Sequence, residues 1–173
     1  MKIEENDFLK NKLYEIQTRA FSFQSNCDNE MLDKNNVILS MPTGSGKTDR
    51  FMSWAIRVLL YGNITTKKVI ITSPIKALSD QRFRELYLQG FNVGLETGDI
   101  NYNIDNCTFL CCTQEIATNK YINEDLVTII DEFHYIYDDE RRSRTYIDYI
   151  VNTKASHLFL CSAHQMKGQW QES

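Results

Sequence analysis

The chain has 173 residues, of which 42% are hydrophobic and 24% charged, and a formal net charge of −4. That length suits one domain with a real core and is short for two, and the balance excludes a disordered or fibrous chain. The acidic surplus argues against a surface that is basic throughout, and no apolar run is long enough to span a bilayer.

The N-terminus, Met1-Lys-Ile-Glu-Glu-Asn-Asp7, is acidic where a signal peptide is basic and then apolar, so the expected compartment is cytoplasmic or nuclear, with no membrane partner. Residues 1–35 read as a separate helical preface with a polar loop near Ser25 to Asn29, and residues 36–173 as the main domain. No repeat, low-complexity tract or Pro/Gly linker divides the chain further.

Val37 to Ser40 is a short apolar strand running into a glycine loop. Asp49 to Tyr61 carries Phe51, Trp54, Ala55, Val58 and Leu59 at the spacing of one helix face, and Gly62-Asn63 ends it. Val69 to Thr72 is the next strand, closed by Pro74, and Ile75 to Gln89 reads as a helix stopped by Gly90. Further strands are expected at Phe91 to Leu95, Thr108 to Cys112, Leu126 to Ile130 and His157 to Cys161, with helices at Gln114 to Tyr121 and Arg142 to Val151. Continuous rather than alternating apolar strands imply burial on both faces. Strand, glycine loop, helix and repeated β-α units predict an α/β fold: a RecA-like P-loop domain whose mostly parallel sheet carries helices on both faces. The five cysteines lack paired spacing and read as reduced, mostly buried thiols.

Two segments carry chemistry. In Thr43-Gly44-Ser45-Gly46-Lys47-Thr48 the glycines allow a turn whose N–H groups surround phosphate oxygens, and the following helix offers its positive end to them. Lys47 is placed to reach the terminal phosphates of ATP, and the Thr48 hydroxyl to bind Mg²⁺. Met41 stands where the full P-loop pattern begins with glycine, so only the shorter core fits. An ordinary Gly/Ser turn would look alike locally, but the strand before it and the helix after it are what the mechanism needs.

The second segment is Asp131-Glu132 at the C-terminal end of the strand Leu126 to Ile130, the edge where open α/β sheets bind ligands. Asp131 is expected in the Mg²⁺ shell and Glu132 as the base that orients and deprotonates water. Alone, such a pair is usually a solvated strand end; with a phosphate loop upstream it is not. His134 fits equally well as a coupling residue or as plain surface.

With its neighbours, this set resembles superfamily 2 helicases of the DExH type, with Asp131-Glu-Phe-His134 as the naming motif. Thr72-Ser-Pro-Ile-Lys-Ala-Leu-Ser-Asp-Gln-Arg-Phe-Arg-Glu-Leu86 is similar to the strand-contacting run of the superkiller-type, exosome-associated RNA helicases. Leu95-Glu-Thr-Gly-Asp99, Cys112-Thr-Gln-Glu-Ile116 and Tyr135-Ile-Tyr-Asp-Asp-Glu-Arg141 follow in that family's order, and Leu13 to Ala20 resembles its adenine-recognising element.

The resemblance implies that Gln17 reads adenine. It implies that Pro74, Lys76, Ala77, Gln81, Thr97, Gly98, Thr113 and Glu115 line a single-stranded nucleic-acid path, RNA in preference to DNA. His134, Ser162 and Ala163 would couple hydrolysis to strand movement. Two departures stand out: Gln114 replaces a usual threonine, and Ser162-Ala163-His164 stands where Ser-Ala-Thr is usual.

The family's motor has a second RecA-like domain that supplies arginine fingers, worth about 10³–10⁵ in rate in related NTPases. The chain is therefore expected to be the ATP-binding half of an ATP-dependent helicase, a weak ATPase by itself, and either a fragment or a truncated protein. The Arg141-Arg142-Ser143-Arg144 cluster is expected to cap a helix or face solvent instead of replacing those fingers. The alternatives are a non-catalytic nucleotide- or partner-binding module and, last, a small-molecule P-loop kinase.

Overall fold

A computed structural model describes residues 2–42 and 44–163. The secondary structure runs α1 (Ile3–Arg19), α2 (Ser22–Glu30), β1 (Asn36–Ser40), α3 (Lys47–Tyr61), β2 (Val69–Ser73), α4 (Lys76–Leu88), β3 (Val93–Glu96), β4 (Asn101–Tyr102), β5 (Phe109–Thr113), α5 (Gln114–Ile116), β6 (Val127–Ile130), α6 (Glu140–Asn152) and β7 (Leu158–Ser162). A π-helical stretch, Ala117–Tyr121, continues α5, and a 3-10 turn, Phe133–Tyr137, follows β6.

The strands form one seven-stranded sheet in the order β1-β7-β6-β2-β5-β3-β4. Every pairing is parallel except β3 with β4. Parallel strands all end on one edge. The C-terminal ends of β1, β7, β6, β2, β5 and β3 therefore face the same side, which is the edge that carries the site.

Alternation along the strands sorts the core into two clusters, one on each face. Val69 and Ile71 of β2 join α1, α3 and α4 residues, whereas Ile70 joins Tyr146 and Tyr149 of α6. Cys111 and Cys112 split in the same way. The expected apolar face of α3 is buried, with Phe51, Ala55 and Leu59 fully so. All five cysteines are free, four of them buried and Cys27 half-buried.

Two expectations need correction, and one short strand goes unforeseen. The polar loop near Ser25 to Asn29 is the middle of α2. It lacks an apolar stripe because its inward positions, Gln24 and Asp28, are polar and face polar partners. The burial of β1 alternates and Ile38 is 69% exposed, because β1 is an edge strand paired only with β7. β4, two residues long, is too short to leave a periodic signal. The N-terminal helices share the main core: Leu9, Leu13 and Ile16 of α1 pack in the cluster that holds α3.

Candidate nucleotide and strand-contact site

β1 feeds directly into the glycine loop, where Gly44 (φ +85°) and Gly46 (φ +87°) adopt left-handed backbone that costs an L side chain about 1–2 kcal/mol. Gly46 has a second reason to lack a side chain, since a Cβ there would stand 2.4 Å from the Gln24 amide. Gly46 caps α3, so the positive end of that helix opens onto the loop. Ser45 anchors the turn through its N–H to the Pro42 carbonyl, 3.2 Å away.

Lys47, on the first turn of α3, is 8% exposed and points across the strand ends. Its Nζ donates to Glu132 Oε1 at 3.0 Å and lies 3.4 Å from Asp131 Oδ1. Burial works against the ammonium charge, yet Asp131, with Glu132 behind it, outweighs burial and holds the pKa above its usual value. Asp131 is fixed by extension of the β6 ladder, its N–H donating to the Thr72 carbonyl at 3.0 Å. Glu132 sits at φ +58°, a conformation that is uncommon for a non-glycine residue and clusters at functional sites.

His134 lies between two parts of the site. One ring nitrogen is 3.3 Å from Glu132 Oε2, and the other shares a 3.2 Å hydrogen bond with Ser162 Oγ at the end of β7. Its side chain is half-buried between them. Ala163 follows Ser162 and is half-buried. Thr43 and His164 lie outside the described residues.

Four of the eight expected strand-contact residues fall in two groups near the strand ends. Lys76 and Gly98 are neighbours, with the Lys76 ammonium 3.1 Å from Asp99. Pro74 and Glu115 line a small cavity with Arg141, Arg142 and Tyr146, and Glu115 pairs with Arg141 at 3.7 Å. Ala77 and Gln81 are exposed on α4. Thr97 and Thr113 are buried and spend their hydroxyls on backbone N–H groups, Thr97 on Asp99 and Ile100, Thr113 on Ile116. Gln114, standing where a threonine is usual, turns inward: it accepts from the Thr72 hydroxyl at 2.6 Å and donates to Thr118. Glu96, inside the same motif as Thr97 and Gly98, is buried and paired with Lys120 and the Tyr121 hydroxyl. The Arg141 and Arg144 side chains are 85% and 75% exposed, as expected for solvent-facing charges.

Two residues at the site have no role assigned from the sequence: Gln24 lies outside the quoted motifs, and Arg82 stands within the Thr72–Leu86 run without being singled out. Gln17 is exposed on α1, and among the described residues no hydrogen bond ties it to the loop. Gln24, the first of the two, does reach the loop: its Nε2 donates to the Ser45 carbonyl at 2.8 Å while its Oε1 accepts from the Phe21 N–H. Arg82 is the second. Its guanidinium donates to Thr48 Oγ1 at 2.7 Å, to Asp131 Oδ2 and to Glu85 Oε2 at 2.9 Å. Burial opposes its charge, but Asp131 and Glu85 outweigh burial and raise its pKa. The helix period does hold a signal for Arg82. Ser79, Arg82 and Leu86 share one face of α4, and Ser79 and Leu86 are its buried residues, so a charge between them needs a carboxylate.

Thr48 and Asp131, the oxygens expected to hold Mg²⁺, are thus close enough to be bridged by one cationic side chain. A hydroxyl and a carboxylate are oxygen donors of the kind Mg²⁺ takes, and the donor set fits it.

Comparison with known proteins accords with this geometry. The DEAD/DEAH box helicase family model matches residues 21–166. "mRNA transport homolog 4" of Caenorhabditis elegans is 35% identical over 136 residues, 75% of this chain and 13% of that protein. "Exosome RNA helicase MTR4" of Homo sapiens is 36% identical over 118 residues, covering 65% and 11%. "Antiviral helicase SKI2" of Saccharomyces cerevisiae is 34% identical over 127 residues, covering 69% and 10%. The chain therefore spans roughly a tenth of the length of the curated relatives it matches. Among solved structures, the helicase domain of Pyrococcus furiosus Hef superposes with a TM-score of 0.69 at 19% identity, over 89% of this chain and 35% of that one. A Saccharomyces cerevisiae Dbp5 structure gives 0.68 at 17% identity, over 95% and 48%. At such identities these superpositions speak for the fold, which is RecA-like. The chain belongs to the DEAD/DEAH box helicase family, and the relatives it matches at about 35% identity are DExH RNA helicases of the MTR4 and SKI2 type.

Proposed function

We propose that this domain binds ATP with Mg²⁺ and serves as the N-terminal motor domain of a nucleic-acid helicase, with RNA favoured over DNA. The observation that carries this reading is the convergence of Lys47, Thr48, Asp131 and Glu132 at the C-terminal edge of the sheet, beside a loop with two left-handed glycines. Thr48 and Asp131 would hold the metal. Bound there, Mg²⁺ would offset phosphate charge in the transition state. Lys47 would turn from the carboxylates to the phosphates, and so release Glu132 to orient a water and take its proton. His134, touching Glu132 and Ser162, would pass the state of that carboxylate to the end of β7. Gln24, bonded to the loop, is a better candidate than Gln17 for reporting an adenine nucleotide to Ser45.

Lys76, Gly98, Pro74 and Glu115 offer a mixed polar surface of the kind that suits sequence-independent backbone contacts. The RNA preference rests on relatives such as the Homo sapiens MTR4 protein, an RNA helicase by name. A second RecA-like domain is needed in this reading to complete the transition state. The compartment would be cytoplasmic or nuclear. Among the described residues no helix is long and apolar enough to cross a membrane.

The test is Glu132→Gln in a protein that includes the second domain, with single-stranded RNA, DNA and hybrid as stimulating strands. Nucleotide binding should persist while RNA-stimulated turnover falls by about 10²–10⁴, the usual worth of a positioned base. Unchanged turnover would remove Glu132 from its role. Equal stimulation by DNA would remove the RNA preference.

A further inference from the structure

We infer that Arg82 is a built-in cation that holds the metal ligands together in the nucleotide-free state and must yield to Mg²⁺ by moving toward Glu85. This rests on the proposal that Thr48 and Asp131 bind the metal. The guanidinium spends Nη1 on Thr48 and Nη2 on Asp131, so one side chain ties the first turn of α3 to the end of β6. Mg²⁺ would be held by the same two oxygens. A monocation and a dication cannot share those lone pairs, and arginine cannot relieve the conflict by losing its proton. Arg82 therefore has to move.

The surroundings provide for that movement. Glu85, with a side chain 41% exposed, already accepts from Nη1 and lies one helical turn away on α4. A cavity of about 60 Å³ lies between Arg82, Glu85, Gln81, Leu78 and the two carboxylates. The guanidinium sits 5.1 Å from the centroid of the Phe51 ring, a flat apolar surface with no hydrogen bond to break. Its Nε–H has no partner among the described residues, so the present position leaves one buried donor unsatisfied. Thr48 and Asp131 would accordingly bind metal weakly until a nucleotide contributes its own oxygens. A permanently structural Arg82 would instead stay on Asp131 in both states.

The test titrates this chain with Mn²⁺ by electron paramagnetic resonance, without nucleotide, in wild type, Arg82→Gln and Arg82→Lys. Arg82→Gln should bind Mn²⁺ about tenfold or more tightly than wild type, because the competent arrangement is no longer a minority state. Arg82→Lys, with one point donor in place of a fork, should fall between. In wild type, the ¹⁵N side-chain resonance of Arg82 should shift on adding ADP with Mg²⁺ and stay in place with ADP and a chelator. That measurement needs no substitution. Equal Mn²⁺ affinity in wild type and Arg82→Gln, or an Arg82 resonance unmoved by Mg²⁺-ADP, would overturn the inference. Adding Asp131→Asn to Arg82→Gln separates it from its premise. If Mn²⁺ binding survives that change, the metal assignment fails and the inference with it; if binding is lost but Arg82→Gln had gained nothing, only the inference fails.

Discussion

At the scale of single residues, the site is a balance of charges in a confined space. Lys47 and Arg82 bring two positive charges to Asp131 and Glu132, so the carboxylates are neutralised without any ligand. That arrangement keeps the buried Asp131 and the half-buried Glu132 tolerable. The two glutamines show how a local resemblance and a tertiary contact can point to different helices. Gln17 stands in the run that resembles the adenine-reading element, yet Gln24 is the residue 8% exposed and bonded to the loop. Gln24→Ala should weaken adenine-nucleotide affinity by about 3–10-fold, the worth of one hydrogen bond, whereas Gln17→Ala should leave it unchanged. Isothermal titration with ADP on both variants checks this; an effect confined to Gln17 would return the adenine contact to α1.

At the scale of elements, α2 is held by polar contacts that a hydrophobicity pattern does not reveal. Asp28 is 2.7 Å from the Nε of Arg50, a side chain with no exposed surface near the start of α3. Removing one partner of a buried pair leaves a charge with no compensation, so Asp28→Asn should cost about 3–5 kcal/mol of unfolding free energy. The double change Asp28→Leu with Arg50→Met should cost less than the single one, because an apolar pair of similar volume removes the desolvation penalty from both sides. Urea denaturation of both variants decides it; a double variant less stable than the single would contradict that reasoning. α6 begins at Glu140, two residues before the expected Arg142, because Asp139 accepts from the Arg142 N–H at 2.7 Å as its N-cap.

At the scale of the whole molecule, the two faces of the sheet carry separate cores and its two edges differ. The C-terminal edge holds the candidate site, while the opposite edge holds His157, 8% exposed beside Trp54 and hydrogen-bonded to Ser156. Burial pushes the His157 pKa below its ordinary 6.5, against a weaker opposing pull from Asp125. The unfolded chain then binds a proton at this position more readily than the folded one. The stability this provides is present above about pH 6.5 and is lost as pH falls from there toward the folded value. Thermal unfolding of wild type and His157→Gln between about pH 7.5 and 5 should show a steeper loss in wild type. Parallel curves would remove His157 from the acid sensitivity.

Much of this molecule is legible in its sequence. The parallel sheet shows in runs such as Val69 to Thr72 and Leu126 to Ile130, which stay apolar because both faces are covered. The α3 face shows in its spacing, and the glycine loop and the Asp131-Glu132 strand end show because each is contiguous, with geometry set by neighbours in the chain. What tertiary structure decided are the pairings between distant positions: Gln24 with Ser45, Asp28 with Arg50, Arg82 with both Thr48 and Asp131, and His134 with Ser162. A linear pattern reports which face of an element is buried, because burial repeats with the helix or strand period. It does not report which polar group waits on the other side, because that depends on strand order, and strand order exists only once the sheet has formed.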